Sequence, residues 1–175
     1  MFFKEGNNFL TDKNKEFIEK TILNSSFPFY FNDRTDKEEK AQFLTHILIT
    51  RLETRSSKEH INSTFYPDVL DIANSFFKKF NIKYKEIYRM AVNLTFNNDF
   101  KKCHIHTDHL FPHKQLIIYL NDTDTSSKTI ILNEKDKIYK EITPKKYKGV
   151  CFDSLNHYFF YPKKGARVVL VTTFI

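Results

Sequence analysis

Two segments in the first half of the chain place apolar residues at the spacing of an amphipathic helix. The first begins after Thr11, a residue type that caps helix N-termini, and extends to about Leu23. The second begins near Pro67, which suits a first helical turn. The recurring apolar positions are Phe17, Ile18 and Ile22 in the first segment and Val69, Ala73, Phe76, Phe77 and Phe80 in the second. Both segments are predicted to be helices that cover an apolar surface.

Shorter apolar runs elsewhere are typical of β-strands. Two of them, 27–31 and 43–49, lie between the predicted helices. After about Lys85, strand-like runs separated by turn residues dominate, and they span 86–96, 114–122, 128–134, 137–142, 149–153, 157–162 and 166–174. Two helices followed by this series predict a mainly β fold with flanking helices, that is, a β-sandwich or barrel with the helices packed on one side.

The length of 175 residues fits one domain that buries about 70% of the surface of its unfolded chain. We expect a single domain over 1–175, with a supporting helical and strand region at about 1–83 and a β core at about 84–175. A polar, turn-like stretch at about 51–64 is predicted to be a mobile surface loop and a candidate substrate lid.

The charge and glycine content of the chain limit the classes of binding partner that we expect. The chain has 28 Lys and Arg against 21 Asp and Glu, a formal charge of +7, which suits nucleic acid, acidic peptides or anionic small molecules. The lysines are scattered in short groups, as on a solvated surface, so a nucleic-acid partner is not favoured. With three glycines, a glycine-rich phosphate-binding loop is excluded.

No stretch resembles a secretory signal or approaches a membrane span, so we expect no membrane partner. Cys103 and Cys151 match neither a disulfide framework nor a metal-binding Cys pair, and Cys151 is read as a small buried side chain. These features predict a cytoplasmic protein.

The segment 103–113, with the sequence CHIHTDHLFPH, contains four of the seven histidines beside a thiol and a carboxylate. His106 and Asp108 are two residues apart, so on an extended strand both project from one face and can reach one ion. His104 and His106 satisfy the same spacing, and a zinc site that includes Cys103 is chemically feasible. The spacing within this segment does not choose among these sets.

Two residues further along the chain bear on that choice. His157 opens the strand-like run 157–162, and Arg167 lies in the next run. If these runs form a hairpin, with Tyr158 opposite Val169 and Phe160 opposite Arg167, then His157 and Arg167 lie about 10 Å apart along neighbouring strands. A small dicarboxylate could span that distance, with one end on a metal and the other on the guanidinium, whose planar fork pairs with a carboxylate.

Two histidines and one carboxylate leave three positions open on an octahedral ion, the pattern of non-haem Fe(II) oxygenases. His106, Thr107 and Asp108, followed by His157 and by Arg167 ten residues later, resemble the His-x-Asp, His, Arg signature of the 2-oxoglutarate and Fe(II)-dependent oxygenases. Over about 84–175 the chain resembles the prolyl 4-hydroxylase-like branch, which includes small members encoded by marine bacteriophages. A phage-encoded protein would act in the host cytoplasm.

The resemblance implies a double-stranded β-helix, a distorted jelly roll of the cupin type. It implies that His106, Asp108 and His157 hold Fe(II) and that Arg167 pairs with the distal carboxylate of 2-oxoglutarate, with O2 as the second cosubstrate. It also places Tyr119 near that carboxylate and Asn93 near the metal-bound end of 2-oxoglutarate. The chain departs from many relatives in having DTDTSSKT at 122–129 instead of a glycine-rich segment.

The implied reaction couples oxidative decarboxylation of 2-oxoglutarate to hydroxylation of a C–H bond, with a prolyl residue in a peptide or protein as the leading substrate. Oxidative demethylation of nucleic acid and hydroxylation of a small metabolite are the alternatives within the enzyme class, and a non-catalytic cupin-like binding module is the alternative outside it. We expect His104, His109 and His113 to be supporting or surface groups, and Arg89 to be a surface or supporting charge.

Overall fold

The computed structural model, which describes residues 1–33, 41–54 and 60–175, contains both predicted helices. Helix α1 spans Asp12–Phe17 and continues as a π-helical turn over Ile18–Ile22. The Thr11 hydroxyl accepts a hydrogen bond from the Asn14 backbone N–H, and the Asn14 side chain accepts one from the Thr11 N–H, which satisfies two otherwise unpaired donors. Helix α2 spans Tyr66–Lys79, with Pro67 in its first turn.

The strands form two antiparallel sheets. They are β1 (Phe3–Gly6), β2 (Tyr30–Asn32), β3 (Phe43–Ile49), β4 (Ile87–Phe96), β5 (Lys114–Tyr119), β6 (Thr129–Leu132), β7 (Ile138–Ile142), β8 (Gly149–Asp153), β9 (His157–Phe159) and β10 (Ala166–Phe174). The major sheet has seven strands in the order β1-β8-β5-β10-β4-β3-β2, and the minor sheet has three in the order β7-β6-β9. All the strand-like runs after Lys85 contain a strand, so the predicted mainly β fold is confirmed.

Two strands differ from the prediction. Strand β1, which pairs with β8, was not predicted, because its four residues show no apolar alternation. The predicted strand at 27–31 begins only at Tyr30, since Phe27 instead packs its buried ring against His46 and Phe65.

The predicted hairpin between 157–161 and 166–174 is wrong. Strand β9 pairs with β6 in the minor sheet, whereas β10 lies between β4 and β5 in the major sheet. Both edges of β10 are therefore occupied, and Arg167 lies opposite Thr95 instead of Phe160. The chain between β9 and β10 crosses from one sheet to the other, so His157 and Arg167 belong to different sheets.

The two faces of the major sheet have different partners. One face packs against the helices, where Phe76 of α2 is fully buried and lies so close to β8 that a Cβ on Gly149 would stand 2.5 Å from its ring. The other face, which includes Ile117, Tyr119 and Val169, packs toward Ile131 of the minor sheet. The helices thus lie on one side, as predicted, and the space between the sheets is left for a site. Among the described residues, no helix has the length and apolar character required to cross a membrane.

Candidate active site

A cavity of about 490 Å³ lies between the two sheets. This volume is in the range of pockets that bind small molecules. Its lining contains four residues singled out in the sequence, His106, Asp108, His157 and Arg167. The fold therefore brings together side chains from three separate parts of the chain.

His106 and His157 are direct neighbours across an isolated β-bridge. The backbone N–H of His106 donates to the His157 carbonyl at 3.0 Å, and the N–H of His157 donates to the His106 carbonyl at 2.8 Å. Their ring centroids are 4.5 Å apart. The Nδ1 atoms lie 2.8 Å and 3.0 Å from the carbonyl oxygens of His104 and Leu155, so each Nδ1–H can donate and each Nε2 keeps its lone pair.

Asp108 is almost fully buried beside two guanidinium groups. Its Oδ1 accepts hydrogen bonds from Nη1 of Arg89 at 2.7 Å and from Nη2 of Arg51 at 3.0 Å. Its Oδ2 lies 4.0 Å from Nε2 of His157. Burial opposes the charged form of this carboxyl, but the charges of Arg89 and Arg51, joined by His157 when it is protonated in acid, outweigh burial and hold its pKa well below the usual range. Asp108 is therefore a carboxylate with one oxygen directed to the arginines and the other toward His157.

His157 is neutral near pH 7. Burial, reinforced by the neighbouring His106, lowers its pKa to about 4. Its Nε2 lies 3.2 Å from Nε2 of Gln115, whose amide also lines the cavity. A neutral imidazole with a fixed Nδ1–H is the form that binds metal ions.

The low pKa of His157 predicts a loss of stability in acid for the metal-free protein. The unfolded histidine titrates near 6.5, so between pH 6.5 and 4 the unfolded chain binds a proton that folded His157 does not. Between pH 7 and pH 5 this group should cost about 2 kcal/mol of unfolding free energy. Urea unfolding at both pH values, with a chelator present to keep the protein metal-free, measures this loss of unfolding free energy.

In that experiment, a His157→Gln variant should lose markedly less stability on acidification than the wild type. The matched control is His104→Gln, because His104 is exposed. An acid response that the two variants share equally would contradict the assignment to His157.

Arg167 occupies another part of the cavity and is only 3% exposed. Its Nη2 donates to the Thr129 hydroxyl at 3.1 Å, and its guanidinium lies 4.4 Å from the ring centroid of Phe159. Its Nε is buried without a hydrogen-bond partner among the described residues. Burial lowers the pKa of this guanidinium. Among the described residues that line the cavity, Asp108 is the only Asp or Glu. A buried cation with an unpaired donor fits an anionic ligand.

Asn93 lines the cavity, whereas Tyr119 lies behind its lining. Asn93 of β4 lines the cavity, and its Oδ1 accepts a hydrogen bond from the Thr45 hydroxyl at 2.7 Å. Tyr119 is fully buried, and its hydroxyl lies 2.7 Å from that of Thr129 without being part of the lining. Tyr119 thus contacts the Arg167 end of the cavity both through Thr129 and directly, since the guanidinium carbon of Arg167 lies 5.5 Å from its ring centroid.

The remaining histidines of 103–113 have separate surroundings. His104 lines the cavity from an exposed position. His109 is buried between Glu53 and Thr173, with its Nδ1 2.6 Å from the carboxylate and its Nε2 2.7 Å from the hydroxyl. His113 is buried, with Nδ1 2.8 Å from the Phe111 carbonyl oxygen. Cys103 lines the cavity, whereas burial raises the pKa of the Cys151 thiol above its usual value.

The predicted mobile loop at 51–64 is partly wrong. Residues 52–54 form a 3₁₀ turn that Glu53 ties to His109, and Ile61 forms a β-bridge with Ile49. A backbone hydrogen bond also ties residue 62 to strand β3, since the Asn62 N–H donates to the Leu48 carbonyl. Residues 55–59, the centre of the candidate lid, lie outside the described residues.

Sequence reasoning missed several polar residues of the cavity and undervalued another. Arg51, Gln115 and Thr129 were not singled out, and Arg89 was read as a surface or supporting charge, although its side chain is 15% exposed and pairs with Asp108. A signal existed for Gln115, because it interrupts an otherwise apolar face of β5. No local signal existed for Arg51, which reaches Asp108 across 57 residues of sequence.

The donor chemistry of the site fits Fe(II) and 2-oxoglutarate. Two imidazoles whose Nδ1 atoms contact backbone carbonyls and one ionised carboxylate make up the two-histidine, one-carboxylate set, and Arg167 offers a donor for a carboxylate. Within 1–33, 41–54 and 60–175, no three His, Cys, Asp or Glu side chains already stand as a closed metal site. To hold an ion, His106, Asp108 and His157 would have to move closer together than they are here.

No protein-family model and no curated protein matches the chain in sequence. Solved structures do match its fold. A prolyl hydroxylase from Trichoplax adhaerens, solved with a hypoxia inducible factor oxygen degradation domain peptide fragment, aligns with a TM-score of 0.71 at 12% identity and covers 99% of this chain and 83% of its own. A 2OG-Fe(II) oxygenase family oxidoreductase from Burkholderia pseudomallei aligns with a TM-score of 0.69 at 12% identity, with coverages of 87% and 75%.

A third match is the non-haem α-ketoglutarate-dependent epimerase SnoN from nogalamycin biosynthesis, with a TM-score of 0.63 at 9% identity and coverages of 99% and 77%. These identities are low, so the likeness concerns the fold. The chain has the double-stranded β-helix fold of the 2-oxoglutarate and Fe(II)-dependent oxygenases, as the sequence resemblance predicted.

Proposed function

We propose that the protein is a 2-oxoglutarate and Fe(II)-dependent oxygenase. The observation that carries the proposal is one cavity lined both by His106, Asp108 and His157 and by the buried guanidinium of Arg167. A polar residue on a surface strand needs neither burial nor a shared cavity. The combination of a ligand set for iron and a partner for a distal carboxylate is what the chemistry of this reaction requires.

In this proposal His106, Asp108 and His157 hold Fe(II), which supplies the activation of O2. 2-Oxoglutarate, O2 and a substrate C–H bond give succinate, CO2 and a hydroxylated product. The chain contributes placement: carbonyl groups fix both imidazole Nδ1–H groups, and Arg167 with Thr129 binds the distal carboxylate. Tyr119 acts on the same end through Thr129, and Asn93 lies on the cavity wall.

The sheets on both sides of the cavity exclude water from the reacting atoms. The apolar part of the lining includes Phe43, Ile117, Phe159, Val169 and Val171. An apolar wall limits the hydrolysis and side reactions that a strong oxidant would otherwise undergo.

A prolyl residue in a peptide or protein is the leading candidate substrate. It is supported by the likeness to a prolyl hydroxylase solved with a peptide fragment. The fold is also similar to that of an epimerase, with a TM-score of 0.63. The fold alone therefore does not distinguish a peptide substrate from a small molecule, and small-metabolite hydroxylation is the second candidate. Nucleic-acid demethylation has no specific support in the cavity.

The proposal predicts a spectroscopic signature. Anaerobic titration of the purified protein with Fe(II) and then 2-oxoglutarate should produce the weak visible charge-transfer band of an Fe(II) chelate of the keto acid, because the site leaves positions open for a bidentate ligand. Circular dichroism before the titration shows that the protein is folded. A folded protein that produces no band contradicts the proposal, and metal binding without 2-oxoglutarate binding favours a non-catalytic cupin-like module.

A further inference from the structure

Two arginines in the cavity share a single carboxylate oxygen. Arg89 and Arg51 both donate to Oδ1 of Asp108, and a second donor of Arg51 reaches the Asp108 backbone carbonyl. The Arg89 side chain is 15% exposed and that of Arg51 is 37% exposed. Arg51 and Arg89 therefore place two positive charges beside the single negative charge of Asp108.

The charge balance of the cavity is positive even when the proposed ligands are included. Among the described lining residues, Arg51, Arg89 and Arg167 stand against Asp108 alone. Bound Fe(II) and the dianion of 2-oxoglutarate cancel each other. Two positive charges thus remain, and uncompensated charges in a partly buried site are costly unless an anion joins them.

The excess charge lies away from the end assigned to 2-oxoglutarate. Along paired strands β4 and β10, Arg167 lies opposite Thr95, whereas Arg89 lies opposite Thr173. These positions are six residues apart on β10, about 20 Å at the Cα atoms. Arg51 and Arg89 thus lie at the Asp108 end of the cavity, and the distal carboxylate paired with Arg167 does not occupy their position.

Arg51 is held in place at the exposed side of the cavity. It precedes the 3₁₀ turn Leu52–Thr54, in which Glu53 lies 2.6 Å from buried His109. Burial raises the pKa of Glu53, whereas the contact with His109 and the charge of Arg51 lower it, with a net decrease. This ionised carboxylate is hydrogen-bonded to His109 and offsets only part of the positive charge of Arg51 and Arg89. The Arg51 guanidinium is thus pre-positioned beside the Asp108 carboxylate and is partly exposed to solvent.

We propose that Arg51 and Arg89 form a carboxylate-binding subsite for the primary substrate. The inference rests on the proposed function and names the substrate class: a molecule that presents a carboxylate near the carbon to be oxidised. Arg forks pair with carboxylates in bidentate geometry, and the pair already binds one carboxylate in Asp108. The carboxylate is supplied either by a free acid, such as an N-acyl amino acid, or by an acidic side chain in a peptide.

The test measures binding without turnover. Protein loaded with Mn(II) and the unreactive analogue N-oxalylglycine is titrated calorimetrically with two matched pairs of probes. One pair is N-acetyl-L-proline and N-acetyl-L-prolinamide, and the other is a blocked Asp-Pro-Ala peptide and its Asn-Pro-Ala counterpart. In one pair the carboxylate member should bind at least about tenfold more tightly than the neutral member, because charge-assisted hydrogen bonds are involved. The pair that discriminates identifies the source of the carboxylate.

Variants connect that preference to the arginines. Arg51→Gln should weaken binding of the carboxylate probe by about tenfold and leave the neutral probe almost unaffected, while Arg51→Lys should fall between. The matched control is Lys79→Gln, which removes one positive charge from the exposed C-terminal end of helix α2, on the opposite face of the major sheet. If Lys79→Gln reduces the preference equally, long-range charge explains it and the subsite is wrong.

The loading step separates this inference from the proposed function. Failure to bind Mn(II) and N-oxalylglycine overturns both. Normal loading without a preference for carboxylate in either pair overturns the subsite alone. A short single-stranded oligonucleotide is titrated as a third probe, and binding tighter than that of either carboxylate, lost in Arg51→Gln, would assign the arginines to phosphate and overturn the carboxylate assignment.

Discussion

Asp108→Ala is expected to lower succinate formation by at least about a thousandfold, since a bound metal contributes several kcal/mol to catalysis and each 1.36 kcal/mol is a factor of ten. The substitution removes the one carboxylate of the proposed ligand set, whose Oδ2 is directed toward His157. Fe(II) affinity, measured by calorimetry under anaerobic conditions, should fall together with the activity.

Asp108→Ala also leaves Arg51 and Arg89 without their shared partner, which is expected to destabilise the fold. His106→Ala separates the two effects. His106 is only partly buried, and its ring makes one hydrogen bond, to the His104 carbonyl. This variant should fold normally and still lose Fe(II) binding and succinate formation.

His104→Ala is the matched control for both variants, because His104 lines the same cavity two residues away from His106. We expect it to retain most of the activity. Equal damage in His104→Ala would show that the choice of ligands is wrong. Tight metal binding by the wild type, with no succinate under any condition, would favour the non-catalytic cupin-like module.

Arg167→Lys is expected to raise the KM for 2-oxoglutarate by about ten- to a hundredfold, the range of one or two charge-assisted hydrogen bonds. Lysine preserves the buried positive charge but lacks the planar fork, so the change isolates geometry from charge. The kcat at saturating 2-oxoglutarate should fall much less, since the distal carboxylate is remote from the reacting atoms. Initial rates over a range of 2-oxoglutarate concentrations measure both parameters.

Lys164→Ala is the control for Arg167→Lys, because Lys164 is exposed in the turn that leads into β10. It should change neither parameter. If Arg167→Lys reduced kcat while KM stayed constant, Arg167 would not be the partner of the cosubstrate. The conclusion that the cavity holds a dicarboxylate at this end would then be wrong.

The alternation along the strands allowed the β core to be predicted, because side chains on a strand point alternately to its two faces. On β5, Leu116 and Ile118 pack toward the helices, whereas Ile117 and Tyr119 face the interior. The same alternation does not say which strand lies alongside. The hairpin expected between β9 and β10 failed for this reason, since β4 and β5 occupy both edges of β10.

The candidate site likewise contains residues that the sequence predicted and residues that it did not. His106, Asp108, His157 and Arg167 could be proposed from the sequence because their chemistry and order resemble a known signature. Arg51 could not, because its partner is 57 residues distant and arginine on a polar stretch is ordinarily solvated. Thr129, which connects Arg167 with Tyr119, was hidden because a threonine at a strand start is common.

The sequence by itself determined the two helices, the run of strands after Lys85 and the side chains capable of binding a metal and a carboxylate, since periodicity and residue chemistry are local properties. Only the tertiary structure decided that β9 joins β6, that His106 and His157 meet across a bridge, and that two arginines converge on Asp108. These contacts depend on sheet order and burial, in which residues far apart in sequence compete for the same neighbours.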